Sequence, residues 1–170
     1  AIQPGDLVII ATPNNPTGVC SDREQLLILA GKHPESIFVF DEAFLDFLGE
    51  GLSLASCAPN IITINSMTKF YGVPGLRIGY GIFPPDTAEL VRKNLPPWTV
   101  NSLAQTFGGR ALRDCAYQQK TRKLGKILRL DLMEKLRSFP ELKVFESSAN
   151  YLFIKIIGIL LLIAAAHIAF

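Results

Sequence analysis

Lys69 and Arg77 fall within one short stretch, Ser66-Met-Thr-Lys-Phe-Tyr-Gly-Val-Pro-Gly-Leu-Arg77, with the hydroxyls of Ser66 and Thr68 beside the lysine. A neutral lysine amine is a nucleophile that condenses with aldehydes to a Schiff base. Arginine presents a planar fork that matches a phosphate. An aldehyde that also carries a phosphate would engage both. The plainer reading is a surface lysine and a structural arginine in an ordinary loop.

The flanking residues decide how such groups are held. Ile61-Ile-Thr-Ile64 is a β-branched run that reads as a buried strand and delivers Lys69 onto a turn. Gly72, Pro74 and Gly75 break any helix, and Ile78 to Ile82 reads as the next strand. Upstream, Leu7-Val-Ile-Ile-Ala11 and Ile37-Phe-Val-Phe40 are apolar runs of central-strand type. The first leads into Thr12-Pro-Asn-Asn-Pro-Thr-Gly18 and the second into Asp41-Glu-Ala-Phe44. Three polar motifs thus each follow a strand, where open α/β sheets bind their ligands.

The remaining elements alternate accordingly. Ser21 and Glu24 have capping-box spacing and open a predicted helix through about Ala30. Ala43 to Phe47 suits a helical turn, and Gly49 to Pro59 a loop with room for a short helix. Helices are predicted over Asp86–Lys93, Ser102 to about Arg113, and Tyr117 to about Ser138, with Cys115 near the break. Lys143-Val-Phe145 and Tyr151-Leu-Phe-Ile154 read as strands of a following small domain. The fold class expected is α/β, a three-layer sandwich with a mostly parallel sheet, plus the start of a small α+β carboxyl-terminal domain.

At 170 residues the chain is long enough for one sizeable core, and 49% hydrophobic with 19% charged residues is globular. A net charge of +2, without a basic run interleaved with aromatics, gives no reason to expect nucleic acid. Cys20, Cys57 and Cys115 form neither a metal pattern nor a disulfide framework, so free thiols in a reducing cytoplasm are expected. No amino-terminal signal peptide is evident.

Together the three motifs resemble the active-site signature of fold-type I, aspartate-aminotransferase-like pyridoxal phosphate enzymes. Within that family the chain is similar to the histidinol-phosphate aminotransferase branch and most of all to threonine-phosphate decarboxylases of cobalamin synthesis. Asp41-Glu-Ala-Phe-Leu-Asp-Phe47, Ser66-Met-Thr-Lys-Phe-Tyr71, Pro97-Trp-Thr-Val-Asn101 and Ala149-Asn-Tyr-Leu152 carry that likeness, which covers roughly residues 5–155.

The resemblance implies pyridoxal 5′-phosphate as cofactor and a phosphorylated amino acid as substrate. It makes Lys69 the catalytic, cofactor-bearing lysine and Asp41 the carboxylate beside the pyridine nitrogen. Asn15 would donate to the ring's phenolic oxygen, while Asn14 serves the turn. Ser66 and Arg77, with Thr68, would bind the cofactor phosphate. Trp98, Asn101 and Asn150, with Tyr151, fall in regions that approach the substrate. Simpler readings stand beside these: a capping aspartate, an Asx-turn asparagine, a strand-end serine, and core packing for Trp98 and Tyr151. Phe44 departs from the many relatives with tyrosine there, and it fits the decarboxylase-like pattern better than the transaminase one. His33 and His167 have no partner motif, Arg110 and Arg113 suit a solvated helix face, and Tyr80 suits packing on the sheet.

The implied divisions are 1–113, a partial cofactor-binding large domain; 114–155, a linking helix and the start of the small domain; and 156–170, a hydrophobic tail. Ile156 to Phe170 has no formally charged residue and is shorter than the ~20 residues that span a bilayer. Truncation or an altered reading frame is favoured over a membrane anchor, with a buried strand plus helix as a third reading. The family's first half, including part of its phosphate cup, is absent before Ala1, so the chain resembles the middle of an enzyme. A homodimer is implied for the full-length protein, and little activity for this chain alone. The leading reading is decarboxylation of threonine phosphate; a histidinol-phosphate aminotransferase and a non-catalytic fragment are the alternatives.

Overall fold

The computed structural model describes residues 1–157. Strands β1 (Leu7–Ala11), β2 (Ile37–Asp41), β3 (Ile61–Ser66) and β4 (Gly79–Ile82) form one sheet in the order β1-β2-β3-β4. The pairs β1–β2 and β2–β3 are parallel, and β3–β4 is antiparallel. A second, two-stranded antiparallel sheet joins β5 (Leu142–Val144) to β6 (Ile154–Ile156). Helices α1 (Arg23–Lys32), α2 (Met67–Phe70), α3 (Pro85–Asn94), α4 (Ser102–Ala111) and α5 (Cys115–Arg137) complete the order.

The strand alternation sorts the side chains onto two faces. Phe38 and Phe40, both fully buried, point to the face covered by α1, where Leu26, Ala30, Leu54 and Ile61 pack with them. Burying each ring contributes roughly 2–3 kcal/mol. The opposite face carries Leu7, Ile9, Ile37 and Ile64, exposed by 61%, 68%, 44% and 46%. The register puts Leu7 beside Ile37, Ile9 beside Val39, and Ala11 beside Asp41, which itself neighbours Ile64. Asp41 therefore ends the open face, at the carboxyl end of the parallel strands.

Local signals explain most element ends, and several of them differ from the sequence reading. Asp22, not Ser21, caps α1 by accepting from the Gln25 amide at 2.9 Å. Ser21 is held elsewhere, its own amide donating to Thr12 Oγ1. The last strand begins at Ile154 rather than Tyr151, because Tyr151 and Leu152 are buried in other contacts. Its partner β5 correspondingly spans Leu142–Val144. No helix forms between Gly49 and Pro59, and Lys69 lies in the single turn of α2 rather than an open loop. Asn101 caps α4 through the Ala104 amide, and Asp114 caps α5 through the Tyr117 amide.

A second cluster, Met67, Phe70, Tyr71 and Ala111 with Phe47, Ile78, Phe107 and Tyr117, packs α2 against the later helices. From α5, Arg122 donates to the Asp46 carbonyl and Arg129 to the carbonyls of Ser148 and Ala149. Among the described residues no helix is long and apolar enough to cross a membrane. The tail reading lies outside the described residues from position 158 onward.

Candidate active site

The parallel register aligns the ends of β1, β2 and β3, so the segments leaving them start side by side. The Thr12 amide donates to the Asp41 carbonyl at 2.9 Å, and the Glu42 amide to the Ile64 carbonyl at 2.8 Å. Glu42, missed in the sequence reading, is 1% exposed. Its carboxylate accepts from Ser53 Oγ at 2.6 Å and from the Leu54 amide at 2.8 Å. That fixes the backbone next to Asp41. Asp41 is exposed, and its Oδ1 accepts from the Ala43 amide at 3.0 Å. The second oxygen accepts no hydrogen bond among the described residues.

Lys69 Nζ donates to Ser66 Oγ at 3.0 Å, and Ser66 Oγ lies 2.8 Å from Thr68 Oγ1. One amine and two hydroxyls therefore meet at the mouth of β3. Nζ also stands 5.9 Å from the centre of the Phe44 ring. Phe44 meets Tyr151 edge to face, with ring centres 4.9 Å apart. Burial, and then the negative charge of Asp41, push the Tyr151 phenol up to about 12. The Lys69 amine and the Tyr151 ring thus approach the same Phe44 ring, three residues along the chain from Asp41.

The asparagine-proline loop is a closed unit. Asn14 donates its side-chain amide to Thr17 Oγ1 at 2.8 Å and its backbone amide to the Val19 carbonyl at 2.8 Å. Its carbonyl accepts from the Gly18 amide at 2.7 Å and from Tyr151 Oη at 2.9 Å. Asn15 is exposed, and no hydrogen bond claims its side chain among the described residues.

Arg77 has φ 49°, in the left-handed region, and its guanidinium donates to the Pro74 carbonyl at 3.3 Å. Gly79, two residues on, pairs with Ser66 across the sheet, so the strand that follows the arginine begins alongside Ser66. Asn101 has both ends of its side chain engaged, one on the Ala104 amide and one on the Leu76 carbonyl. Trp98 is 95% exposed, which excludes core packing for it within this chain. Asn150 adjoins Tyr151, and its Oδ1 is buried with no partner among the described residues. A cleft of about 510 Å³ lies beside Met67, Ile78, Tyr80, Trp98, Val100 and Leu112, and none of Asn15, Asp41, Ser66, Lys69 or Arg77 lines it.

The structure thus brings Asp41, Ser66, Thr68 and Lys69 to one end of the sheet, with the Asn14–Asn15 loop joined to them through Tyr151. It does not join Trp98 or Asn101 to that group. Tyr151 was legible as a buried aromatic, but its phenol's partner was not.

The family model for aminotransferases of class I and II matches residues 2–160. The threonine-phosphate decarboxylase of Salmonella typhimurium is 36% identical over 156 residues, covering 88% of this chain and 43% of that protein. A histidinol-phosphate aminotransferase of Nitrosococcus oceani is 40% identical over 124 residues, covering 69% of this chain and 34% of that protein. The solved histidinol-phosphate aminotransferase of Sinorhizobium meliloti, in complex with pyridoxal-5′-phosphate, superimposes with a TM-score of 0.80 at 25% identity. That match covers 88% of this chain and 42% of the solved one. The chain therefore spans less than half the length of these relatives.

Proposed function

Because this chain belongs to the class I and II aminotransferase family, we propose that it carries the cofactor-binding centre of a pyridoxal phosphate enzyme acting on a phosphorylated amino acid. The carrying observation is the Lys69 amine, hydrogen-bonded to Ser66 and set against the ring of Phe44, three residues beyond Asp41 in the segment that leaves the neighbouring strand.

The residues fit that cofactor. An exposed carboxylate with one unclaimed oxygen and a cluster of hydroxyls beside an amine stand at neighbouring strand ends, and Asn150, next to Tyr151, keeps a buried oxygen without a partner among the described residues. Bound pyridoxal phosphate supplies an electron sink for the bond broken at the substrate's α-carbon. Lys69 would hold it covalently and carry protons at that carbon. Asp41 would keep the ring nitrogen protonated, since an adjacent negative charge favours the cationic form. Asn15 would donate to the phenolic oxygen, and Ser66, Thr68 and Arg77 would bind the phosphate. The domain division at residues 113 and 155 belongs to the same reading, as does a homodimer for the whole enzyme.

Decarboxylation of L-threonine O-3-phosphate to 1-amino-2-propanol phosphate is the leading activity. Phe44 in place of a phenol supports it, alongside the 36% identity to the Salmonella decarboxylase. Histidinol-phosphate aminotransfer is the second reading, supported by the 40% identity of the shorter Nitrosococcus match. Borohydride treatment of the chain with pyridoxal phosphate, followed by peptide mapping, tests the site: the label belongs on Lys69, and labelling elsewhere refutes it. For a full-length parent, carbon dioxide released without an oxo acid supports the decarboxylase. Glutamate formed from 2-oxoglutarate supports the aminotransferase.

A further inference from the structure

Residues 147–151 lie across the asparagine-proline loop although they are far away in sequence. The Ser148 amide donates to the Gly18 carbonyl at 2.8 Å, and Tyr151 Oη donates to the Asn14 carbonyl at 2.9 Å. Ser147 approaches Gly18 so closely that a Cβ on that glycine would fall 2.0 Å from Ser147 Oγ. On its other side the segment is tied to α5, through Arg129 and the carbonyls of Ser148 and Ala149. Ala149 is fully buried and Tyr151 is 7% exposed.

We propose that Tyr151 is a positioning residue: its phenol holds the Asn14 carbonyl, and with Ser148 it straps the Thr12–Gly18 loop so that Asn15 stays aimed at the cofactor. The role of Asn15 rests on the reading above; the strap itself does not. Asn14 is the loop's internal staple, bonded to Thr17, Gly18 and Val19. Asn15 is the neighbouring residue whose amide those bonds leave free. Holding Asn14 from outside therefore orients Asn15 without consuming it. The same ring packs edge-on against Phe44, over which Lys69 lies, so one side chain touches both motifs. A phenol donates only while protonated, and burial together with Asp41 keeps it so well above neutrality. A ring that served packing alone would not need its hydroxyl.

The test compares the full chain with Tyr151→Phe, which keeps the ring and its contact with Phe44. Tyr117→Phe is the control; its hydroxyl meets the Phe70 carbonyl instead. Amide hydrogen exchange at residues 12–20 should quicken about fivefold in Tyr151→Phe, the factor for one neutral hydrogen bond. The amides of β2 should not change, and Tyr117→Phe should leave 12–20 untouched. Borohydride trapping at limiting pyridoxal phosphate should also fall about fivefold on the same ground. Unchanged exchange at 12–20 in Tyr151→Phe overturns the strap. Quickened exchange with undiminished trapping overturns its role in aiming Asn15. Absence of any Lys69 label in the wild-type chain would instead remove the cofactor reading and leave the strap to be judged by exchange.

Discussion

Gly18→Ala tests how tightly the loop is held. The glycine has φ +71°, a conformation that costs an alanine roughly 1–2 kcal/mol. The new methyl would also lie 2.0 Å from Ser147 Oγ and 2.7 Å from Ser147 Cβ. Overpacking of that kind costs about 1–3 kcal/mol, because the neighbour must move. The two effects sum to about 2–5 kcal/mol for Gly18→Ala. Ser147→Gly removes both clashing atoms and leaves the backbone strain. A double-mutant cycle by urea unfolding, with the slope held constant, should therefore return a coupling of about 2 kcal/mol. Ser147 Oγ also accepts from the Ala149 amide, and the Ser147→Gly single mutant accounts for that loss. A Gly18→Ala destabilisation below about 1 kcal/mol, or a coupling near zero, would refute the close approach of these segments.

Three further outcomes follow from buried groups. Glu42→Ala strands the Leu54 amide and the Ser53 hydroxyl and should cost about 3 kcal/mol in chemical unfolding; a loss under about 1 kcal/mol would show that the carboxylate is not their partner. Burial raises the Asp46 carboxyl above 3.8, outweighing the attraction of Arg122, so folding stability declines as pH rises past that value. Asp46→Asn should flatten that decline and raise the melting temperature at neutral pH, and a lower one would contradict the assignment. The Tyr151 phenol ionises near 10.0 unfolded and about 12 folded, so its contribution is complete below pH 10 and is lost between the two. The loss amounts to about 2–3 kcal/mol and should vanish from alkaline unfolding curves of Tyr151→Phe; a curve identical to wild type would rule it out.

Much of the sheet was legible because buried parallel strands are written as unbroken apolar runs: Leu7–Ala11, Ile37–Phe40 and the start at Ile61 all stand where those runs lie. Motif placement followed, since Asp41 and the lysine segment had to leave neighbouring strand ends. Finer features depended on competition between adjacent groups. Ser21 and Asp22 are both good caps, and only the tie from Ser21 to Thr12 gives the role to Asp22. Tyr151 and Leu152 have the composition of a strand but are used to bind the loop, so pairing begins at Ile154. The bond from Tyr151 to Asn14 spans 137 positions, a separation over which local pattern carries no information. Asn101 immediately precedes α4 and caps it, so its side chain is spent on the helix rather than on a ligand.

The bare aliphatic row of Leu7, Ile9, Ile37 and Ile64 bears on which substitutions the sheet tolerates. Parallel strands of this type are ordinarily covered on both sides. The chain spans less than half the length of its relatives, so the bareness of Leu7, Ile9 and Ile37 belongs to these residues taken by themselves. Even here the row is not uniform, for Ile62, in register with Val39 and Ile9, is buried. Within this chain a charge introduced at Ile9 would meet solvent, whereas the same charge at Phe40 or Ile62 would enter packed surroundings.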